Sequence, residues 1–130
     1  MKIKRLVPLI LSSLLLTACA LFPRSGSYRE ISMDEAASMM QKEKNYIILD
    51  VRRPDEFAEK HIPGAINVPN ESIGTEAIPE LPDKDQLILV YCRSGNRSKQ
   101  AAKKLVELGY TNIVEFGGII DWTGETVSEN

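Results

Sequence analysis

The chain has 130 residues, enough for one ordinary domain, and its balance of 43% hydrophobic and 26% charged residues excludes a disordered tail or a membrane-embedded bundle. Its net charge is -2, from 16 Lys and Arg against 18 Asp and Glu. Residues 1–18 hold Lys2, Lys4 and Arg5 and no acid, so the rest of the chain carries about -5, which excludes a nucleic acid partner because phosphate backbones need a basic face.

In chain order, "MKIKR" is a basic start and "LVPLILSSLLL" an apolar run of about eleven residues, short of the roughly 20 that span a bilayer. It ends in "LTAC", Leu16 to Cys19, with small residues before the Cys. That pattern resembles the lipobox of bacterial lipoprotein signal peptides. The resemblance implies cleavage before Cys19, lipid on its thiol, and a protein held at a membrane of the cell envelope, outside the cytoplasm. An ordinary secretory signal cut nearby and an uncleaved anchor are the alternatives. Residues 1–18 are thus expected to be the signal peptide, 19–27 the lipidated Cys19 and a Pro/Gly/Ser-containing tether, 28–124 the folded domain and 125–130 a tail. A lipidated Cys19 cannot pair with Cys92, the other of the 2 Cys. A lone thiol in an exported, oxidising setting is a liability unless its reactivity is used.

After the tether, "YREI" reads as a short first strand. "SMDE" carries a capping box, Ser32 with Glu35 three residues on, and Ala36, Met39 and Met40 give the helix behind it an apolar face to about Lys42. "NYIILDV" is a buried-strand run ending near Asp50, and Pro54 with two acids opens a short helix to about Lys60. "AINVP" is a brief strand, and Asn70 to Asp85 a loop with one helical turn. "QLILVY" is the clearest strand, apolar on both faces. From Ser98 to Leu108 an amphipathic helix buries Ala101, Ala102, Leu105 and Leu108, and Gly109 caps it. "NIVEF" is the last strand and "GGIIDWTGE" leads into a short final helix. Strands alternating with helices predict an α/β fold with a mainly parallel sheet covered on both sides.

Ligands of such sheets bind beyond the carboxyl ends of the strands, where Asp50, Cys92 and Gly117 lie. Cys92 stands between a strand end and a helix start, facing unpaired backbone N–H groups and the positive end of the helix dipole. Arg93 and Arg97 add positive charge. All three effects favour negative charge on the sulfur, its nucleophilic form. Gly95 and Asn96 tolerate left-handed angles, so the loop can curl into an anion-binding nest. Protein tyrosine phosphatases keep five residues between their nucleophilic Cys and their Arg. Here four separate Cys92 from Arg97, a ring sized for one sulfur atom rather than a phosphate.

"CRSGNRS" resembles the active-site loop of single-domain rhodaneses, a sulfurtransferase family. "ILDVRRPDEFAEKHIPGAINVP" is similar to that family's upstream signature and "VEFGGIIDW" to its C-terminal one, together covering about Tyr28 to Trp122. The resemblance implies a three-layer fold around a five-stranded sheet. It implies a Cys92 thiolate that takes sulfur from a small anionic donor such as thiosulfate and passes it, as a persulfide, to cyanide or a thiol. Arg93 matches the position typical of thiosulfate users, and with Arg97 would hold the donor. Backbone N–H groups of Arg93, Ser94, Gly95, Asn96, Arg97 and Ser98 would cradle the persulfide. No metal or organic cofactor is required, and a monomer is expected. Lys60 departs from the family, which has Gly before His61; a changed surface turn is the expected result.

Plainer roles stand beside these. Cys92 can be an inert core thiol, and Arg97 a surface charge, although a cation at a helix N-terminus opposes the dipole. His61, the only His, can pair with Cys92 or serve as a structural hydrogen-bonder. Asp50 and Arg52 read as a buried pair shaping the floor of the site, and Trp122 as a core or rim aromatic. Competing functions are a persulfide carrier or redox relay for a membrane partner, a phosphatase or arsenate reductase, and a non-catalytic binding module. The lipoprotein reading fixes a mass: protein from its native envelope is expected to begin at Cys19 and carry acyl groups there, and an unmodified Cys19 by mass spectrometry would refute it.

Overall fold

Five parallel strands form one sheet in the computed structural model, which describes residues 26–129. The expected signal peptide, Cys19 and the tether up to residue 25 lie outside the described residues. Among those described, no helix is long and apolar enough to cross a membrane. In chain order the elements are β1 (Arg29–Glu30), α1 (Met33–Lys42), β2 (Tyr46–Asp50), α2 (Pro54–Glu59), β3 (Ile66–Asn67), β4 (Leu87–Cys92), α3 (Asn96–Glu107) and β5 (Ile113–Gly118). The spatial order of the strands is β1-β5-β4-β2-β3.

The central strand β4 lies between β2 and β5, which is why its sequence is apolar throughout. Its side chains alternate between two cores. Ile88, Val90 and Cys92 pack with Ala101, Ala102 and Leu105 of α3, whereas Leu89 and Tyr91 pack with Ala36 of α1 and Phe57 of α2. Each fully buried Leu or Ile contributes about 1.5–3 kcal/mol. The reactive-residue candidate therefore sits on the α3 face of the innermost strand. The Ser32 cap of α1 forms as its sequence predicts, its hydroxyl accepting from the Glu35 N–H at 3.1 Å.

Some boundaries move. Helix α3 begins at Asn96 rather than Ser98, because Gly95 takes a left-handed φ of 104° and turns the chain at once. The expected final helix is a 3-10 turn, Ile119–Asp121, and the single turn within the 70–85 loop is Asn70–Ser72. Residues 127–129 return to the domain: His61 and Val127 exchange backbone hydrogen bonds of 2.9 Å, and the Glu129 N–H donates to the Ala58 carbonyl. Lys60 is extended at φ -166°, a conformation any residue adopts, so the backbone there has no need of glycine.

At the carboxyl end of β2, Asp50 is fully buried and Arg52 is 4% exposed. The Asp50 carboxylate accepts from the Arg52 backbone N–H at 2.9 Å and from its guanidinium at 2.7 Å. The guanidinium also donates to the Lys60 carbonyl, and the Asn67 amide ties the Asp50 and Arg52 carbonyls together. A charge so enclosed is strongly destabilising once its partner is removed. Asp50→Ala is expected to lower the unfolding free energy by about 3–5 kcal/mol, measured by urea denaturation, and a loss below about 1 kcal/mol would show that Arg52 finds solvent instead.

Candidate active site

Cys92 is the last residue of β4, and Arg93 and Ser94 carry the chain to the left-handed Gly95 and into α3. This curl folds the loop back over the sulfur, and Cys92 is only 1% exposed. The Gly95 N–H donates to Cys92 Sγ at 3.0 Å, and the thiol donates to Ser98 Oγ at 3.4 Å. The N–H groups of Asn96, Arg97 and Ser98 belong to the first turn of α3, where no intrahelical acceptor exists. They bring the positive end of the helix to the same place. Of the two residues that tolerate a left-handed angle, Gly95 adopts it and Asn96 does not: Asn96 is the first helical residue, and among the described residues only glycines have positive φ. The side chains of Arg93, Ser94 and Asn96 are exposed, while Gly95 and Ser98 are buried.

The loop rests on β5. Val90 lies opposite Glu115, but Cys92 lies opposite Gly118, so β5 has one more residue than β4 between these two pairs. This bulge, with Gly117 at φ 98°, brings the Gly118 backbone under the Cys92 loop. A Cβ at Gly118 would lie 2.0 Å from the Arg93 carbonyl oxygen, so no side chain fits. The Ile120 N–H donates to that oxygen at 3.2 Å and fixes the loop from the other side. Glu115, 2% exposed, accepts from Ser98 Oγ at 2.7 Å and from the Gly117 N–H at 2.8 Å.

The two arginines have different surroundings. Arg97 was expected to face the donor, but its guanidinium is held bidentately by Glu56 of α2, at 2.7 and 3.1 Å. Arg93 instead borders a cleft of about 420 Å³ lined also by Arg53, Glu56, Lys60, Ile119 and Ile120, with the buried Arg52 at its floor. His61 directs its ring elsewhere. Its Nδ1 donates to the Phe57 carbonyl at 2.7 Å, its ring stacks on Phe57 at 3.8 Å, and its Nε2 lies 3.9 Å from Glu129. Trp122 packs at the edge against Phe116 and donates to the Glu125 carbonyl.

Sequence reasoning missed three contributors: Glu56, Glu115 and Gly118. Glu115 left a signal, a lone carboxylate inside the apolar run "NIVEF", since fully buried acids are rare unless partnered. Glu56 read as an ordinary helix-start acid and gave none. The hydrogen bond from Arg97, against an opposing effect of burial, holds the Glu56 carboxyl below its usual range. A lowered carboxyl contributes stability above its unfolded value of about 4.3 and loses it as pH falls through the folded value. The wild type is therefore expected to have a higher urea midpoint than Glu56→Gln above about pH 5, with the gap closing towards about pH 3. A gap that stays constant across this range would sink the ion pair's role.

Comparison with known proteins agrees with this geometry. Residues 32–125 match the family described as Rhodanese-like domain. The thiosulfate sulfurtransferase PspE of Escherichia coli (strain K12) is 38% identical over 73 residues, 56% of this chain and 70% of that protein. A sulfurtransferase of Allochromatium vinosum is 35% identical over 94 residues, 72% of this chain and 86% of that protein. Among solved structures, a rhodanese with anions from Escherichia coli superposes with a TM-score of 0.59 at 35% identity, covering 64% of this chain and 98% of that one. A parallel five-stranded α/β domain, with a cysteine loop between its central strand and a helix, thus belongs to the rhodanese family.

Proposed function

We propose that the chain is a thiosulfate-type sulfurtransferase working through a persulfide on Cys92. The carrying observation is the seat of the sulfur: Cys92 Sγ accepts from the Gly95 N–H at 3.0 Å, inside a four-residue turn that ends on the first residues of α3. The thiolate attacks the outer sulfur of thiosulfate. A Cys92 S–S bond forms, the bond between that sulfur and the sulfonate sulfur breaks, and sulfite leaves with the bonding electron pair. A thiophilic acceptor such as cyanide or a thiolate then takes the outer sulfur and returns the Cys92 thiolate. Arg93, exposed at the cleft, meets the anionic donor and the leaving sulfite, while first-turn N–H groups of α3 offer donors to the terminal sulfur, as an oxyanion hole does for oxygen. Arg97 contributes a charge already shared with Glu56. The lipid expected on Cys19 would hold this activity at an envelope membrane.

A second reading, delivery of the persulfide to a protein partner, is favoured by Ile120, a large apolar side chain 61% exposed on the rim of the same cleft. Intact mass after thiosulfate treatment tests the first. The wild type is expected to gain one sulfur atom that cyanide removes, and Cys92→Ala to gain none. No gain in the wild type, or turnover of p-nitrophenyl phosphate in its place, would overturn it. A persulfide that forms while cyanide turnover stays negligible would select the carrier.

A further inference from the structure

Glu115 is a buried carboxylate that the sulfur chemistry above does not use. It ends a chain of single hydrogen bonds: Gly95 N–H to Cys92 Sγ at 3.0 Å, the Cys92 thiol to Ser98 Oγ at 3.4 Å, and Ser98 Oγ to Glu115 Oε1 at 2.7 Å. Ser98 has one hydroxyl proton and three acceptors near it, the Gly95 carbonyl at 3.0 Å, the Gly117 carbonyl at 3.4 Å and Glu115. The shortest and charged acceptor takes that proton, since hydrogen bonds to a carboxylate are the strongest of the three. The Ser98 oxygen is then left as an acceptor towards the thiol.

We propose that Glu115, acting through Ser98, accepts the proton that turns the Cys92 thiol into the thiolate. The S–H bond breaks as Ser98 Oγ takes that proton, and the O–H bond of Ser98 breaks as Glu115 Oε1 takes the other. The three groups keep the same total of protons and charge, and a negative charge moves from carboxylate to sulfur. The Cys92–Ser98 and Ser98–Glu115 hydrogen bonds reverse while the Gly95 N–H continues to donate, so the thiolate now accepts from both Ser98 Oγ and the Gly95 N–H. Ser98 touches the reacting sulfur and is the catalytic residue; Glu115 is a positioning residue that acts through it. The inference rests on the persulfide reading for its role in turnover, since the thiolate it produces is the attacking species. Charged and titratable groups facing the chain are Arg97, with Glu56 and Glu71 around it, and Tyr28 with Glu30 beside the Glu115 strand; Arg93, next to Cys92 in sequence, has an exposed side chain.

The test reads thiolate rather than sulfur transfer, so its failure is separate from failure of the persulfide reading. The full chain is treated with iodoacetamide, and alkylation of the Cys92 peptide is followed by mass spectrometry at about pH 6 and about pH 9. Glu115→Gln retains the acceptor oxygen but cannot bind the proton. It is expected to slow Cys92 alkylation by about tenfold or more at the lower pH and to approach the wild type at the higher, where hydroxide removes the proton directly. A bystander carboxylate predicts the opposite sign, because removing a negative charge beside the thiol favours thiolate. Faster alkylation, an unchanged rate, or an equal fall at both pH values would each overturn the proposal. Ser98→Ala leaves Glu115 in place and breaks the chain, so it carries the test if Glu115→Gln does not fold. It too is expected to lose rate chiefly at the lower pH, and a wild-type profile would overturn the relay.

Discussion

The site depends on one close approach of two backbones. Gly118 passes beneath the Arg93–Ser94 turn so tightly that even a methyl group would meet the Arg93 carbonyl at 2.0 Å. That approach exists because β5 gains a residue between its pairings with Val90 and Cys92. A regular β5 would keep Glu115 opposite Val90 but would bring a different residue to the Cys92 position. The bulge therefore does two things: it places a glycine where the loop needs space, and it leaves the Gly117 N–H aimed at the Glu115 carboxylate. Without it the loop would have to lift away from the sheet, and the Ile120 N–H would lose the carbonyl it donates to.

Charge is apportioned around that contact by pairing. Arg52 is matched to Asp50 and Arg97 to Glu56, each through more than one hydrogen bond. The first pair is buried and ties the end of β2 to the turn after α2; the second is part-exposed and ties α2 to α3. Both use helix and strand ends that converge on the sheet's carboxyl edge, where backbone polar groups are unpaired and side chains must supply partners. Arg93 borders the cleft from outside these pairs, with no carboxylate among the described residues given over to it as Asp50 is to Arg52 and Glu56 to Arg97. Arg97 shares its charge between Glu56 and the Cys92 loop, and the start of α3 adds the positive end of the helix there.

The fold was legible because its signals are local. The apolar run of β4, the Ser32 cap and the amphipathic stripe of α3 each follow from nearest neighbours along the chain. Cys92, Ser98 and the Gly95 turn were legible for the same reason, as members of one contiguous loop. What escaped was non-local. Glu56 reaches Arg97 across 41 residues of sequence, and Glu115 reaches Ser98 across 17, and neither spacing carries a period or a motif of its own. The α3 boundary was misplaced by two residues because Asn96, a residue that also suits turns, sits where Gly95 has already completed the turn.

Burial of the nucleophile follows from the same geometry and bears on how sulfur would move. A thiol 1% exposed cannot reach out to a large acceptor. Adding one sulfur lengthens the side chain by about 2 Å, the length of an S–S bond, and carries the reactive atom beyond the pocket that holds Sγ. The N–H groups of Asn96, Arg97 and Ser98 open the helix that follows the loop, and Arg93 of that loop borders the cleft together with Ile120. Under the proposed chemistry the two half-reactions thus differ in reach. Loading requires a donor small enough to enter the ring above Cys92, whereas unloading presents the sulfur nearer the surface, where a larger thiol can meet it. A loop one residue longer would open the ring, and it would also loosen the N–H donors around the atom being passed.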